Sequence, residues 1–318
     1  MKVIKVKSLL PIRLDKYLME QFPALNIGKL NKALRENKIK LNGKKQPLST
    51  RVCAGDEIKL FILDEQLEPT PQKVEGPSFL NASFPAEVIY EDDFVLIANK
   101  PAGVAVMDEK TPDTLINRVL LYLYQKQTWT PGESETPALC HRLDTGTAGL
   151  VIVAKTSKAE ALLVQLIRER IIKKRYVCVT FGHPQPAKNI LKGYLWKDAQ
   201  KGKVVVCNKP GADRKAIETH YETMHKSGRF ALLKVDLITG RTHQIRAHLA
   251  SIGCPILGDS KYGNNAINRE LKFKYQALCA YELSFPILDY PELQGLSGKT
   301  IRAEKPWWYN QMLQHQLK

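Results

Sequence analysis

The stretch Cys140-His141-Arg142-Leu143-Asp144-Thr145-Gly146-Thr147-Ala148-Gly149-Leu150-Val151-Ile152-Val153-Ala154 decides how this chain is read. Its second part, Leu150–Ala154, is a short apolar run rich in β-branched residues, the pattern of a buried strand. The polar part before it is punctuated by Gly146 and Gly149 and forms a loop at the strand's entrance. Short loops on a rigid strand are where side chains are aimed at a substrate. Asp144 stands near a cation, Arg142, and the glycines let the backbone turn or approach a ligand closely. The competing reading is an aspartate that caps a turn by accepting backbone amides.

A second polar cluster lies farther along, at Leu237-Ile238-Thr239-Gly240-Arg241-Thr242-His243-Gln244-Ile245-Arg246-Ala247-His248. Gly240 breaks a strand, Thr242 suits a helix cap, and a helix from His243 to Ile252 stops at Gly253. His243 and His248 do not share a helix face, and no zinc-type ligand spacing is present. Neither a local nucleophile signature nor a glycine-rich phosphate loop occurs, so metal hydrolysis and a nucleotide cofactor are poor readings. Taken singly, Arg241 and Arg246 read as helix-end charges or phosphate contacts.

Around these clusters the spacing predicts strands at Val88–Tyr90, Phe94–Ala98, Tyr176–Phe181, Lys203–Cys207, Phe230–Leu237 and Leu278–Leu283. Helices are expected over Thr114–Tyr124 and Ala161–Ile167, the second opened by a capping box of Ser157 and Glu160. Mixed order without regular strand–helix alternation favours an α+β fold over a doubly wound sheet.

Toward the N-terminus, Leu14, Tyr17, Leu18 and Phe22, then Leu30, Ala33 and Leu34, recur at helical spacing. Lys29, Lys32 and Arg35 fall on a separate arc of the second helix, and Asn42-Gly43 signals the tight turn of a small hairpin. The expected organisation is a small basic domain over 1–66, a proline-rich linker over 67–85 and a larger domain over 86–318.

Charge sharpens the picture. The chain holds 48 Lys and Arg against 32 Asp and Glu, and residues 1–62 alone hold 14 against 5. So uneven a surplus suggests a polyanionic partner. The longest apolar runs, such as Phe94–Ala98 and Leu150–Ala154, are far too short to span a bilayer, and the N-terminus builds no secretory signal. Six cysteines without CxxC spacing read as buried free thiols of a cytoplasmic protein.

Together the clusters resemble the RluA-type RNA pseudouridine synthases. His141-Arg142-Leu143-Asp144 with Thr147 and Gly149 matches, as do residues 239–248, Asn99-Lys100-Pro101-Ala102-Gly103, Lys174-Arg175-Tyr176, and Gly253 to Asp259 with Tyr262-Gly263. One departure is Ala148, where the family commonly has Ser. Arg13-Leu14-Asp15, Leu18, Leu30, Ile39, Asn42-Gly43 and Gly55-Asp56 are similar to a small RNA-binding domain shared with a small-subunit ribosomal protein. The combination looks most like the branch acting on large-subunit ribosomal RNA.

The resemblance implies a mixed, mainly antiparallel sheet with flanking helices, and isomerisation of uridine to pseudouridine with no cofactor, metal or membrane. It implies Asp144 as the catalytic carboxylate, nucleophile or base, and Tyr176 as the aromatic packed on the base. Arg241 would pair with Asp144, Ile245 would wall the base, and Arg142 would fill the space of a flipped nucleotide. Lys29, Lys32 and Arg35 would attract RNA phosphates. Alternatives are the same activity on transfer RNA, or a ribosome-assembly factor that binds RNA without catalysis.

Overall fold

The structure, a computed structural model, describes residues 2–8, 11–22, 25, 27–61, 76–198 and 202–317. The chain divides into two compact units, residues 1–75 and 76–318.

The first unit runs β1 (Lys2–Lys5), β2 (Ile12–Arg13), α1 (Leu14–Gln21), α2 (Ile27–Arg35), β3 (Ile39–Leu41), β4 (Arg51–Val52) and β5 (Glu57–Leu60). The apolar arcs of both helices close on Ile39, Leu41, Ile58 and Leu60, while Lys29, Lys32 and Arg35 stay exposed on α2. The expected hairpin takes a different course. Asn42 and Gly43, both at positive φ, make the tight turn, and Leu41 and Lys44 exchange backbone bonds across it. The ladder of β3 is nevertheless with β5, pairing Ile39 with Leu60 and Leu41 with Ile58. The Asn42 side chain fixes this choice: it donates to Asp56 and accepts from the Glu57 amide, both at 2.8 Å.

Residues 67–75 of the expected linker lie outside the described residues, and residues 76–85 fold with the second unit. There a 3-10 turn, Ser78–Asn81, buries Phe79 against Trp129 and Tyr124, with ring centroids 5.3 and 5.4 Å away. Proline content misleads at this point because Pro77 opens an ordered turn instead of a spacer.

The second unit comprises β6 (Glu87–Glu91), β7 (Val95–Lys100), α3 (Leu115–Gln125), β8 (Ala138–Leu139), β9 (Ala148–Ala154), α4 (Ser157–Arg168), β10 (Lys173–Phe181), β11 (Lys188–Asp198), β12 (Lys203–Cys207) and β13 (Lys215–Ser227). It continues through β14 (Phe230–Leu237), α5 (Gln244–Ser251), α6 (Asn265–Glu270), β15 (Leu278–Ser284), β16 (Thr300–Arg302) and α7 (Trp307–Leu313). One sheet holds these strands in the order β12-β11-β13-β14-β10-β15-β9-β7-β6, with β8 and β16 attached at β9 and β15. Every pairing is antiparallel except β15 with β9. The fold is α+β.

Strand β9 shows why its sequence is continuously apolar. Val151 and Val153 face the core that contains α3, while Leu150 and Ile152 face the core that contains α4. With both faces covered no polar alternation survives. The cap of α4 is Thr156, not Ser157: its hydroxyl accepts from the Ala159 amide at 3.3 Å, and Ser157 instead donates to Glu135.

The parallel contact of β15 with β9 spans only two residue pairs, Cys279 with Ala148 and Ala280 with Gly149. Gly149, at φ 112°, is required because a Cβ there would overlap the Ala280 carbonyl. Its close approach is therefore to a neighbouring strand. The polar loop before β9 is delivered to this junction, beside the start of β10.

Candidate active site

A cavity of about 720 Å³ opens at that junction. His141–Asp144 and Thr147 line it from the loop before β9, Lys173–Tyr176 from β10, and Leu237–Arg246 from the turn between β14 and α5. The volume falls within the range of small-molecule clefts.

Asp144 is a quarter exposed, and its Oδ2 accepts from Arg246 Nη1 at 2.8 Å. The same guanidinium grips Asp259 with Nε at 2.7 Å and Nη2 at 2.9 Å. Asp259 is fully buried and takes two more bonds from the amides of Lys261 and Tyr262. Burial pushes the Asp259 carboxyl up, but the Arg246 fork and those amides outweigh it and hold it below the ordinary value. Burial likewise disfavours the Arg246 cation, and the bonds to Asp259 and Asp144 reverse this and raise its pKa. A planar fork held on one side by a buried carboxylate fixes the direction of the bond it offers on the other. Oδ1 of Asp144 meets no protein donor among the described residues, so an aimed oxygen faces the cavity. The carboxylate is thus not spent on capping a turn; the Thr147 amide bonds the Asp144 backbone carbonyl instead.

This corrects the pairing expected from the sequence: the cation on Asp144 is Arg246, not Arg241. The turn after β14 explains the exchange. Gln244 is buried and accepts from the Arg241 amide and Thr239 hydroxyl while donating to the Glu218 carbonyl and Thr219 hydroxyl. His243 then takes a left-handed conformation, φ 54°, before α5 begins, with no cap from Thr242. Arg241 consequently stays outside the helix, exposed at the rim, and Arg246 points inward from α5.

Beneath the site Tyr176 is buried in β10, opposite Val235 of β14 and Ala280 of β15. Burial, and next the Asp144 charge, raise its hydroxyl pKa far enough to keep the phenol neutral. Ile245 is buried and completes the apolar floor, and Arg142 is exposed at the mouth. His243 Nε2 lies 4.0 Å from Asp144 Oδ2, its Nδ1 is 3.0 Å from the Tyr262 hydroxyl, and burial lowers its pKa. His141 is driven down to about 3 by burial, in keeping with a neutral ring nitrogen that accepts the Ile152 amide at 3.2 Å.

Lys100 is a support the sequence signals only as part of a motif. Fully buried, it donates to the carbonyls of Pro101, Val104 and Thr145 at 3.0, 2.7 and 3.1 Å. Burial pushes it down to about 8, against the attraction of Asp144. By tying Thr145, it secures the residue next to Asp144. Lys29, Lys32 and Arg35 belong to the first unit. Among the described residues no three of His, Cys, Asp or Glu converge as metal ligands, and no helix is long and apolar enough to cross a membrane.

Comparison with known proteins gives this geometry a chemistry. The RNA pseudouridylate synthase family matches residues 94–251. A protein named ribosomal large subunit pseudouridine synthase C, from Rickettsia typhi, is 33% identical over 323 residues, covering 98% of this chain and 99% of its own. An uncharacterized RNA pseudouridine synthase of Mycoplasma pneumoniae is 32% identical over 98% of this chain and 97% of its own. Among solved structures, human RNA pseudouridylate synthase domain containing 4 superposes with a TM-score of 0.58 at 22% identity, covering 72% of this chain and 92% of that one, a likeness of fold.

Proposed function

Because the chain belongs to the RNA pseudouridylate synthase family, whose members isomerise uridine in RNA, we propose that its target lies in large-subunit ribosomal RNA and that Asp144 performs the chemistry. The name carried by the Rickettsia relative supports that target. The observation that carries the catalytic assignment is the oriented carboxylate. Asp144 has one oxygen bound by a buried guanidinium and the other open to a cavity floored by Tyr176 and Ile245.

The reaction cleaves the bond between uracil and ribose, turns the base and rejoins it through carbon 5, whose proton is lost. Nothing is oxidised or hydrolysed overall, so the site must keep the freed base and limit water. The apolar floor formed by Tyr176 and Ile245 serves retention. A phenol kept neutral by burial packs against uracil and can donate a hydrogen bond, but it is a poor proton acceptor near neutral pH. The bond from Arg246 fixes the direction in which the Asp144 carboxylate is presented, as a nucleophile or base at the sugar requires. To reach the cavity the uridine must leave its stack, at a cost of a few kcal/mol. Arg142 and Arg241 at the mouth would contact the strand it leaves, and Lys29, Lys32 and Arg35 of the first unit would add phosphate attraction. The protein would work in the cytoplasm, a reading that its six free cysteines support.

The test is to map pseudouridines in all stable RNAs of cells with and without the gene. A site in large-subunit ribosomal RNA should vanish with the gene and return with purified protein. A site lost from transfer RNA alone would move the target, and an unchanged map would remove the assignment.

A further inference from the structure

Much of the second unit's positive charge sits away from the catalytic residues. Residues 188–215, which hold β11, β12 and the loop after them, contain eight Lys and Arg against two Asp. Lys188, Lys197, Lys209, Arg214 and Lys215 are exposed, and among the described residues none forms a salt bridge, although Lys188 lies opposite Glu222 across the ladder and feels its charge. The acids of the adjoining strand are neutralised within the protein. Glu218 takes His220 at 2.6 Å and Lys192 at 3.5 Å, and Glu222 takes Lys234 at 2.8 Å. The uncompensated charge here is cationic.

One face of the same hairpin is also apolar and uncovered. Along β11 the alternation sends Leu191 and Leu195 into the core and leaves Ile190, Lys192, Tyr194 and Trp196 on the opposite face. Ile190 is 53% exposed and Trp196 41%, and Val205, paired with Trp196 across the strands, is 43% exposed. From Ile190 to Trp196 the stripe is about 20 Å long at strand rise. It is continuous with the catalytic cleft. A second hollow of about 590 Å³ is lined by Lys188, Ile190, His220 and Asp236, and both His220 and Asp236 also line the active-site cavity.

Aromatic and aliphatic groups set among unpaired cations, leading from a cleft that takes a nucleotide, suit one kind of occupant. We propose that this face of β11 and β12 is a second RNA-contact surface, on which unpaired bases flanking the target uridine stack on Trp196 while Lys188 and the loop cations hold their phosphates. The inference rests on the RNA-modifying reading of the cleft. Stacking on an exposed indole tolerates any base, because every base offers a π-face. A second copy of this chain fits poorly, since it would bring one cation-rich hairpin against another, and lysine at an edge strand discourages strand-to-strand pairing.

The experiment uses the full-length protein and an RNA fragment in which the wild type forms pseudouridine. Filter binding and single-turnover rates at saturating RNA are compared for wild type, Trp196→Ala, Trp196→Phe and the double variant Lys188→Gln/Lys209→Gln. Trp196→Ala should raise Kd about tenfold, roughly 1.4 kcal/mol, with the saturated rate within about twofold, and Trp196→Phe should restore most of the affinity because it keeps an aromatic face. The double lysine variant should make the salt dependence of binding shallower by about one to two phosphate contacts. Unchanged affinity in Trp196→Ala would overturn the surface, as would a change in oligomeric mass without a change in Kd. Should Trp196→Ala not fold, an unchanged salt slope in the lysine variant decides against it. Failure of the wild type to form pseudouridine in any RNA is a different result, and sinks the functional reading itself.

Discussion

Two chains of ion pairs run through the second unit, and their bond lengths do not tell them apart. One links Asp144, Arg246 and Asp259 at 2.8 and 2.7 Å. The other links Asp236, Arg175, Glu282 and Arg302 at 2.8, 2.6 and 2.6 Å. Burial separates them. Arg246 and Asp259 are 6% and 0% exposed, whereas Arg175, Asp236 and Arg302 are 37%, 40% and 57% exposed. In the outer chain Glu282 is buried at 6% exposure, but water competes at Asp236, Arg175 and Arg302, and pairs so exposed contribute about 0–1 kcal/mol. In the inner chain no water replaces a lost partner, so the geometry is enforced. Both chains end on a carboxylate that lines the cleft, Asp144 and Asp236, but only Asp144 is held there by a buried guanidinium.

The largest expected effect breaks the inner chain at that open end. Asp144→Asn keeps the shape of the side chain and removes its charge. Pseudouridine formation should fall by at least about a thousandfold, roughly 4 kcal/mol of barrier, while RNA affinity stays within about tenfold. Robust turnover by the purified variant would take Asp144 out of the chemistry.

At the buried end, Asp259→Asn leaves the Arg246 cation short of a partner. Urea unfolding should show a loss of about 3 kcal/mol, with a slower saturated reaction. The matched change in the outer chain, Asp236→Asn, should cost no more than about 1 kcal/mol. Equal losses would mean that burial is not what distinguishes the chains.

The smallest effect concerns acidity. Burial drives His141 and His248 down from 6.5, to about 3 and about 4. Below about 6.5 the unfolded chain therefore binds a proton at each that the folded chain refuses, and stability falls as pH drops. The buried His248 contributes up to about 1.4 kcal/mol per pH unit to that slope. Asp259 acts in the opposite sense, because its lowered pKa adds stability above the ordinary carboxylate value, outside this window. Urea midpoints should fall between pH 6.5 and 5.5, and by clearly less between 7.5 and 6.5. A flat profile through 5.5 would show that neither ring is held neutral.

How far the sequence discloses this arrangement depends on whether the information is local. The strand Leu150–Ala154, the loop before it and the helix ended by Gly253 follow from periodicity and glycine placement. The long strands β11 and β13 are harder to read: Ile217, Thr219 and Tyr221 do alternate with Glu218, His220 and Glu222, but threonine thins that buried face, Gly193 interrupts the one in β11, and the pairing partners are distant in the chain. Asp144 stands out by its loop. The choice between Arg241 and Arg246 does not, since it turns on the left-handed His243 and on Asp259, which arrives from another loop. Lys100 shows in the sequence only as part of a motif, and its supporting role is hidden for a similar reason: its three carbonyl partners converge only in the folded chain.

The most direct test of the buried chain compares Arg246→Lys with Arg241→Lys in single-turnover pseudouridine formation at saturating RNA. A lysine at 246 retains charge but cannot hold Asp259 and Asp144 together through a planar fork. Arg246→Lys should slow the reaction by at least about tenfold, roughly 1.4 kcal/mol. Arg241→Lys, at the exposed rim, should leave the saturated rate within about threefold and act mainly on RNA affinity. The reverse order, with Arg241→Lys slow and Arg246→Lys normal, would contradict the assignment of Arg246 as the group that aims the catalytic carboxylate.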